Sequence, residues 1–380
     1  MRCSRFVLVG LISLVTVVGH GTADGGGATA AEAPIAGDAP SVATEPILAD
    51  TGYEDVFAAI EGLEGQARID ELVRLATESD QPIMVYSGTF MEPILEAFEA
   101  KYGLDAELYN AASEEIITRL TQEAGAGRVA ADIVDINGAE MEFLARAGIL
   151  VPYESVYVDE LIPEAIQHGW TATHLTTYVT VRNTNNVDES EAPTSWEDLA
   201  DPKWEGRIMM EAGSVDWFYG LWNYFTEDQG MTDDEAREIF EGIAANSVVQ
   251  QGHLAGLQLL TNGERDLFAA TYAYSTQRAI DQDGAPLAWE PANQPIIARP
   301  TGTGVVANAP NPAGALLYHE FLLSPETQQL VGPNFLNNVT NEALIPADAY
   351  ELHVVDIPDL VDHYDEFSDL YDEILANAGH

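Results

Sequence analysis

Positive charge is the scarcest commodity in this chain. Its 380 residues hold 15 Lys and Arg against 63 Asp and Glu, a formal net charge of −48, with only two lysines, Lys101 and Lys203. A nucleic acid would be repelled, and no basic patch exists to release its counterions; an anionic membrane surface is disfavoured for the same reason. Thiol is nearly absent too. The one cysteine, Cys3, precedes the first apolar run, which removes disulfides, cysteine nucleophiles and thiolate metal sites from the rest of the chain. Long apolar runs are missing beyond Phe6–Val18, which is itself short for a bilayer span. Catalytic motifs are missing as well. There is no G-x-S-x-G elbow, and His319-Glu320 meets Leu323 where a zinc site would need its second histidine. Asp281-Gln282-Asp283-Gly284 lacks the third acidic position of a calcium loop and reads as a turn. The eight histidines are scattered, with no pair at i, i+4.

What is present begins with an export pattern. Arg2 and Arg5, the Phe6–Val18 run and the small residues after it read as a secretory signal over residues 1–30. Residues 31–50, rich in Ala, Pro and acid, read as a flexible linker. Helical spacing over 53–79, broken at Gly62 and Gly65, predicts two amphipathic pieces. Short apolar strands then alternate with helices: strands at 82–86, 105–109 and 132–136, helices at 93–101, 113–124 and from Gly138 on. That alternation predicts an α/β sheet covered on both faces. A second α/β body starts near Tyr178, with a helix start at Thr194 and Glu197 (capping-box spacing) and helices over 217–225 and 232–244. After Gly302 come a strand, a helix over 313–323, and another capped by Ser324 with Pro325 at its first position.

Several motifs fall in an order that carries a resemblance. They are Val85-Tyr86-Ser87-Gly88; Glu96 to Gly103; Ala131-Asp132-Ile133-Val134; Ala147 to Pro152; Arg182-Asn183-Thr184; Trp196-Glu197-Asp198-Leu199 through Lys203-Trp204-Glu205-Gly206-Arg207-Ile208; and Phe321 to Gln328. In that order the chain resembles the extracellular solute-binding proteins of ABC importers, type II periplasmic binding proteins, and within them the ferric-ion branch. The resemblance implies an α/β fold of two lobes hinged about a central cleft. Lobe 1 would take residues 51–178, lobe 2 residues 179–298, and residues 299–380 would return to lobe 1 with the C-terminal helices. The chain would cross between lobes near Thr177–Arg182 and Ile296–Thr301. It implies an exported, non-enzymatic monomer, periplasmic or extracellular, that delivers a small solute or metal ion to an ABC permease. The other class in view is a secreted α/β hydrolase or transferase.

Ferric binders of that branch use a histidine, a glutamate and two adjacent tyrosines, because hard Fe(III) suits phenolate and carboxylate oxygen. By motif those positions fall on Phe90, Asn137, Ala273 and Tyr274, so one of the four survives, with Tyr272 close by. Two ligand readings follow. In the first, ferric iron, as transported cargo and not a resident cofactor, is held by Tyr272 and Tyr274 with carboxylates such as Glu140, Glu211 or Asp216. In the second, a small organic solute meets Trp217 and the tyrosines, while Arg299 and the Tyr86, Ser87, Gly88 and Thr89 strand end, with Asn137, hold an anionic group. Gly252-His253 is a further residue pair of interest. The structural alternatives are a core place for Trp217, a carboxylate partner for Arg299, surface places for Glu211 and Asp216, and a cap for His253.

Overall fold

A computed structural model of the chain describes residues 51–89, 91–335, 339–340 and 350–376. The signal and linker readings over 1–50, and Phe90, lie outside those residues.

The first lobe opens with α1 (Glu54–Ile60) and α2 (Gly65–Thr77), the two amphipathic pieces expected, with Ile69, Leu72 and Ala76 buried. Then come β1 (Ile83–Ser87), α3 (Glu92–Tyr102), β2 (Ala106–Asn110), α4 (Ser113–Gly125), β3 (Ile133–Asn137), α5 (Gly138–Arg146) and β4 (Leu150–Val151). Gly103 ends α3 in the left-handed region at φ 66°, which glycine adopts without strain. A long strand, β5 (Thr171–Asn183), leads out of this lobe. It is buried along both faces, so it shows no polar alternation. The second lobe holds β6 (Ile208–Glu211), α6 (Val215–Asn223), α7 (Asp233–Ala245), β7 (Ser247–Gln250), α8 (His253–Thr261), β8 (Leu267–Tyr272), α9 (Ala273–Asp283) and β9 (Leu287–Ala288). A second long buried strand, β10 (Ile296–Val306), runs back, followed by α10 (Pro312–Leu323), α11 (Pro325–Phe335), β11 (Leu352–Val354), α12 (Ile357–Asp362) and α13 (Tyr364–Ala376).

One sheet contains both lobes, ordered β2-β1-β3-β10-β5-β8-β6-β7. Strands β1, β2 and β3 are parallel, as are β6, β7 and β8, so each lobe is an α/β unit whose strands end toward the other lobe. The antiparallel β5–β10 ribbon is the crossing, with Arg299 opposite Thr176 and Pro300 opposite Leu175. The outer edge of β10 changes partner along its length. Ile296, Ile297 and Ala298 pair with β11, whereas Thr301 to Val305 pair with β3. Arg299 and Pro300 fall between the two, and Pro300 has no N–H to donate.

The helix start expected at Thr194 and Glu197 differs in detail. Asp198, not Glu197, accepts the Thr194 N–H at 2.8 Å and its hydroxyl at 2.9 Å, and the element is a single 3-10 turn, Glu197–Ala200. The full capping box stands at Thr232 and Glu235, at the start of α7. Asp281 and Asp283 close α9, and Gly284 caps it in the left-handed region. The C-terminal helices touch both lobes. Arg146 of α5 holds Asp362 and the Pro358 carbonyl of α12, while Phe367 and Tyr371 of α13 pack on Phe218 of α6. Among the described residues no helix is long and apolar enough to cross a membrane.

Candidate metal and solute cleft

The parallel strands of both lobes deliver their C-terminal ends to one region, and β10 brings Arg299 into it from the crossing. The Arg299 side chain is 6% exposed. Its guanidinium donates to Asp216 of α6 at 2.6 Å and to Asn137 of β3 at 2.8 Å, so one cation ties the second lobe to the first. The same guanidinium lies 5.9 Å from the ring centroids of both Tyr178 and Tyr272. Gly138, the first residue of α5, is forced by this convergence. A Cβ there would sit 2.6 Å from the Pro300 carbonyl oxygen and 2.9 Å from Ile357.

The second lobe supplies an aromatic row. Tyr178 and Tyr272 have ring centroids 5.4 Å apart; Tyr272 and Tyr274 are parallel within 9° at 5.6 Å; His253 lies 4.0 Å from Tyr272. Tyr272 ends β8 and Tyr274 stands in the first turn of α9, so a strand-to-helix turn sets the pair. Burial pushes the Tyr272 phenol up, and Arg299 opposes that only in part. Burial also lowers His253 to about 3, against the pull of Asp216, so its imidazole is neutral.

Glu211, at the end of β6, is fully engaged. One oxygen accepts the Gly213 N–H at 2.7 Å and the Ser214 hydroxyl at 3.1 Å; the other accepts the Gly252 N–H at 3.0 Å. It fastens the starts of α6 and α8 together. His253 turns Nε2 toward this group, 3.4 Å from Ser214 Oγ and 3.7 Å from Glu211. Its Nδ1 is buried without a partner, as are Thr271 Oγ1, Ser275 Oγ and Arg299 Nε.

First-lobe groups are more self-contained. Ser87 Oγ accepts the Thr89 N–H, and Asn110 donates to the carbonyls of Ser87 and Thr89. Thr89 and Thr173 donate to Asp135, whose carboxyl burial lifts to about 7 despite those two hydroxyls. Gly88 is the exposed tip of this turn. Tyr86 points elsewhere: it donates to Glu123 and lies under Arg119, deep in the first lobe. Glu140 is half-buried; burial, then the charge of Glu114, raises it to about 7, with Arg299 opposing.

Of the expected residues, then, the fold gathers Asn137, Asp216, Arg299, Tyr272 and Tyr274 around one crossing, with Glu140 in electrostatic reach. Ser87, Gly88 and Thr89 form one turn, coupled to Asp135. Glu211 serves as a clamp beneath His253. Trp217 is core, 1% exposed and packed on Trp196 and Phe240, away from the polar groups. Sequence reasoning passed over Tyr178, although Thr176 and Tyr178 lie on one face of β5, and over Ser214, which stands at the N-cap position of α6 but turns its hydroxyl to Glu211 instead of capping the helix. Among the described residues no three His, Cys, Asp or Glu side chains converge as a metal site, so a hard cation here would need phenol oxygen.

Comparison with known proteins agrees with this architecture. Residues 130–349 match the model of the bacterial extracellular solute-binding protein family. Iron uptake protein A1 of Synechocystis sp. is 26% identical over 251 residues, which are 62% of this chain and 69% of that one. A Trichodesmium protein (IdiA, FutA), solved with iron and citrate, superposes with a TM-score of 0.62 at 22% identity, over 77% of this chain and 99% of the other. The substrate-binding protein of an ABC transporter from Agrobacterium tumefaciens gives a TM-score of 0.66 at 16% identity, over 79% and 96%. These solved structures fix the two-lobed fold.

Proposed function

The chain belongs to the bacterial extracellular solute-binding proteins, and from that premise we propose that its cargo is ferric iron, held in the interlobe cleft by Tyr272 and Tyr274. As a member of that family it is the binding component of an ABC importer. It works outside the cytoplasmic membrane, presents its loaded form to a membrane permease, and performs no catalysis; the hydrolase alternative has no support. The observation that carries the iron reading is the parallel Tyr272–Tyr274 pair on the rim of the second lobe. Two phenols are the hard oxygen donors that Fe(III) prefers. The names of relatives point the same way: the Synechocystis protein is an iron uptake protein, and the Trichodesmium structure holds iron and citrate.

Burial keeps the Tyr272 phenol protonated in the empty protein, and a trivalent cation supplies the field that ionises it. Binding therefore releases protons and weakens as pH falls. Ligand that touches both rims favours the closed lobe arrangement by its differential affinity.

The test is a titration of metal-free protein with ferric citrate, watching for the visible phenolate-to-iron absorption band. A saturable band, lost in Tyr272→Phe/Tyr274→Phe, is expected. No band at any pH between 6 and 9 would remove tyrosine-held iron and leave a small organic solute as cargo.

A further inference from the structure

We infer that His253 is a metal-binding group of this cleft, donating Nδ1 to the same ion as Tyr272 and Tyr274, so that the second lobe alone supplies the protein's nitrogen and phenol donors. The inference rests on the ferric reading of the cleft and adds a residue to it. Its imidazole lies against Tyr272, ring centroids 4.0 Å apart, and Tyr272 lies 5.6 Å from Tyr274, so the three rings form one continuous row. The side chain of His253 is 10% exposed, and Nδ1 has no hydrogen-bond partner. A buried ring nitrogen without a partner forfeits the hydrogen bond it would make in water, which is uncommon in a folded interior. A bound ion removes that cost.

The other face of the ring is built as a metal-binding histidine's outer side usually is. Nε2 looks toward Ser214 Oγ and the Glu211 carboxylate, an arrangement that places the N–H on Nε2 and leaves the lone pair on Nδ1. Glu211 cannot turn away to take the ion itself, because the amides of Gly213 and Gly252 hold both its oxygens. The position of His253 is set independently of any ligand. It is the first residue of α8, its preceding Gly252 sits at φ 81°, and the Gly252 amide is the one pinned by Glu211. Imidazole suits iron, and one nitrogen beside two phenolates is a donor set that the first lobe does not need to complete.

The experiment is pulsed EPR on the full mature protein loaded with ferric citrate, whose own ligand carries no nitrogen, in unlabelled and 15N-histidine-labelled forms. The expected result is a nitrogen coupling to high-spin Fe(III) that changes with the label and vanishes in His253→Ala. That variant keeps the phenolate band but binds iron at least tenfold more weakly in competition with citrate. A phenolate band with no histidine coupling in the wild-type protein would overturn the assignment while leaving tyrosine-held iron intact. Absence of the band itself would overturn both. The wild-type spectrum decides the matter even if the variant folds poorly.

Discussion

The two rims of the cleft use similar residues to different ends. On the first lobe, Ser87, Thr89 and Asn110 bond to one another, Thr89 serves Asp135, and Asn137 accepts from Arg299. On the second lobe, Tyr272, Tyr274 and His253 stack as a row, and buried polar atoms on His253, Thr271 and Ser275 have no protein partner. A satisfied network is rigid and gives a ligand little to gain; an unsatisfied one is held ready at a cost in stability. Under the iron reading proposed above, holding the cargo falls mainly to the second rim.

Breaking the link between the rims should have the largest effect. Arg299→Met leaves the Asp216 carboxylate, only 13% exposed, without its cation, and such a loss typically costs about 3–5 kcal/mol. Denaturant unfolding measures it. Adding Asp216→Leu should restore most of that stability; a double variant as unstable as the single one would mean that packing of the guanidinium over the tyrosines, not its charge, matters. Next comes the row itself. Tyr272→Phe/Tyr274→Phe should weaken ferric citrate competition by about 100-fold, or about 2.7 kcal/mol, without lowering the melting temperature of the empty protein by more than a few degrees.

A smaller loss is expected at Gly138. Gly138→Ala forces a Cβ toward the Pro300 carbonyl and Ile357, an overpacking worth about 1–3 kcal/mol, read as a fall in melting temperature. Asp135 gives the first rim a pH signature. Its folded pKa of about 7 lies above the usual unfolded value near 3.9. Its contribution is therefore fully present below about pH 4 and is lost as pH rises through about 7. Asp135→Asn should flatten that part of the stability profile; parallel profiles for variant and wild type would mean the carboxyl is already ionised at pH 5. The least effect belongs to Thr89→Val, about 1 kcal/mol of stability as its hydroxyl leaves Asp135 and Ser87, with iron competition unchanged. A tenfold loss of iron affinity there would place the first rim in direct contact with cargo and end the contrast.

Much of the architecture is legible from local pattern. Alternating strands and helices in the first lobe stand within one or two residues of where periodicity puts them, because each buries one face and ends at a turn residue such as Gly103. The long crossing strands are harder to see. β5 and β10 are buried on both faces and lack the polar alternation that marks a half-covered strand. The Tyr272–Tyr274 pair was visible as chemistry, but its turn from strand to helix was not. Least legible are Arg299, Asp216 and Asn137, which are 83 and 162 positions apart in the pairs that Arg299 makes. Residue type announces a charge; only the fold decides which charge it meets. Glu211 shows the same limit, since a carboxylate tied down by backbone amides looks, in sequence, like any acidic residue of an acidic chain.

The change of partner along β10 has a mechanical consequence. On one edge the strand is stitched to β11 up to Ala298 and to β3 from Thr301, leaving Arg299 and Pro300 as an unstitched seam. A bend in the ribbon breaks the fewest hydrogen bonds there. The side chain that grows from the seam is Arg299, with Asp216 at one end and Asn137 at the other. It spans the seam as a strut: any motion that separates Asp216 from Asn137 has to give up one of its two bonds.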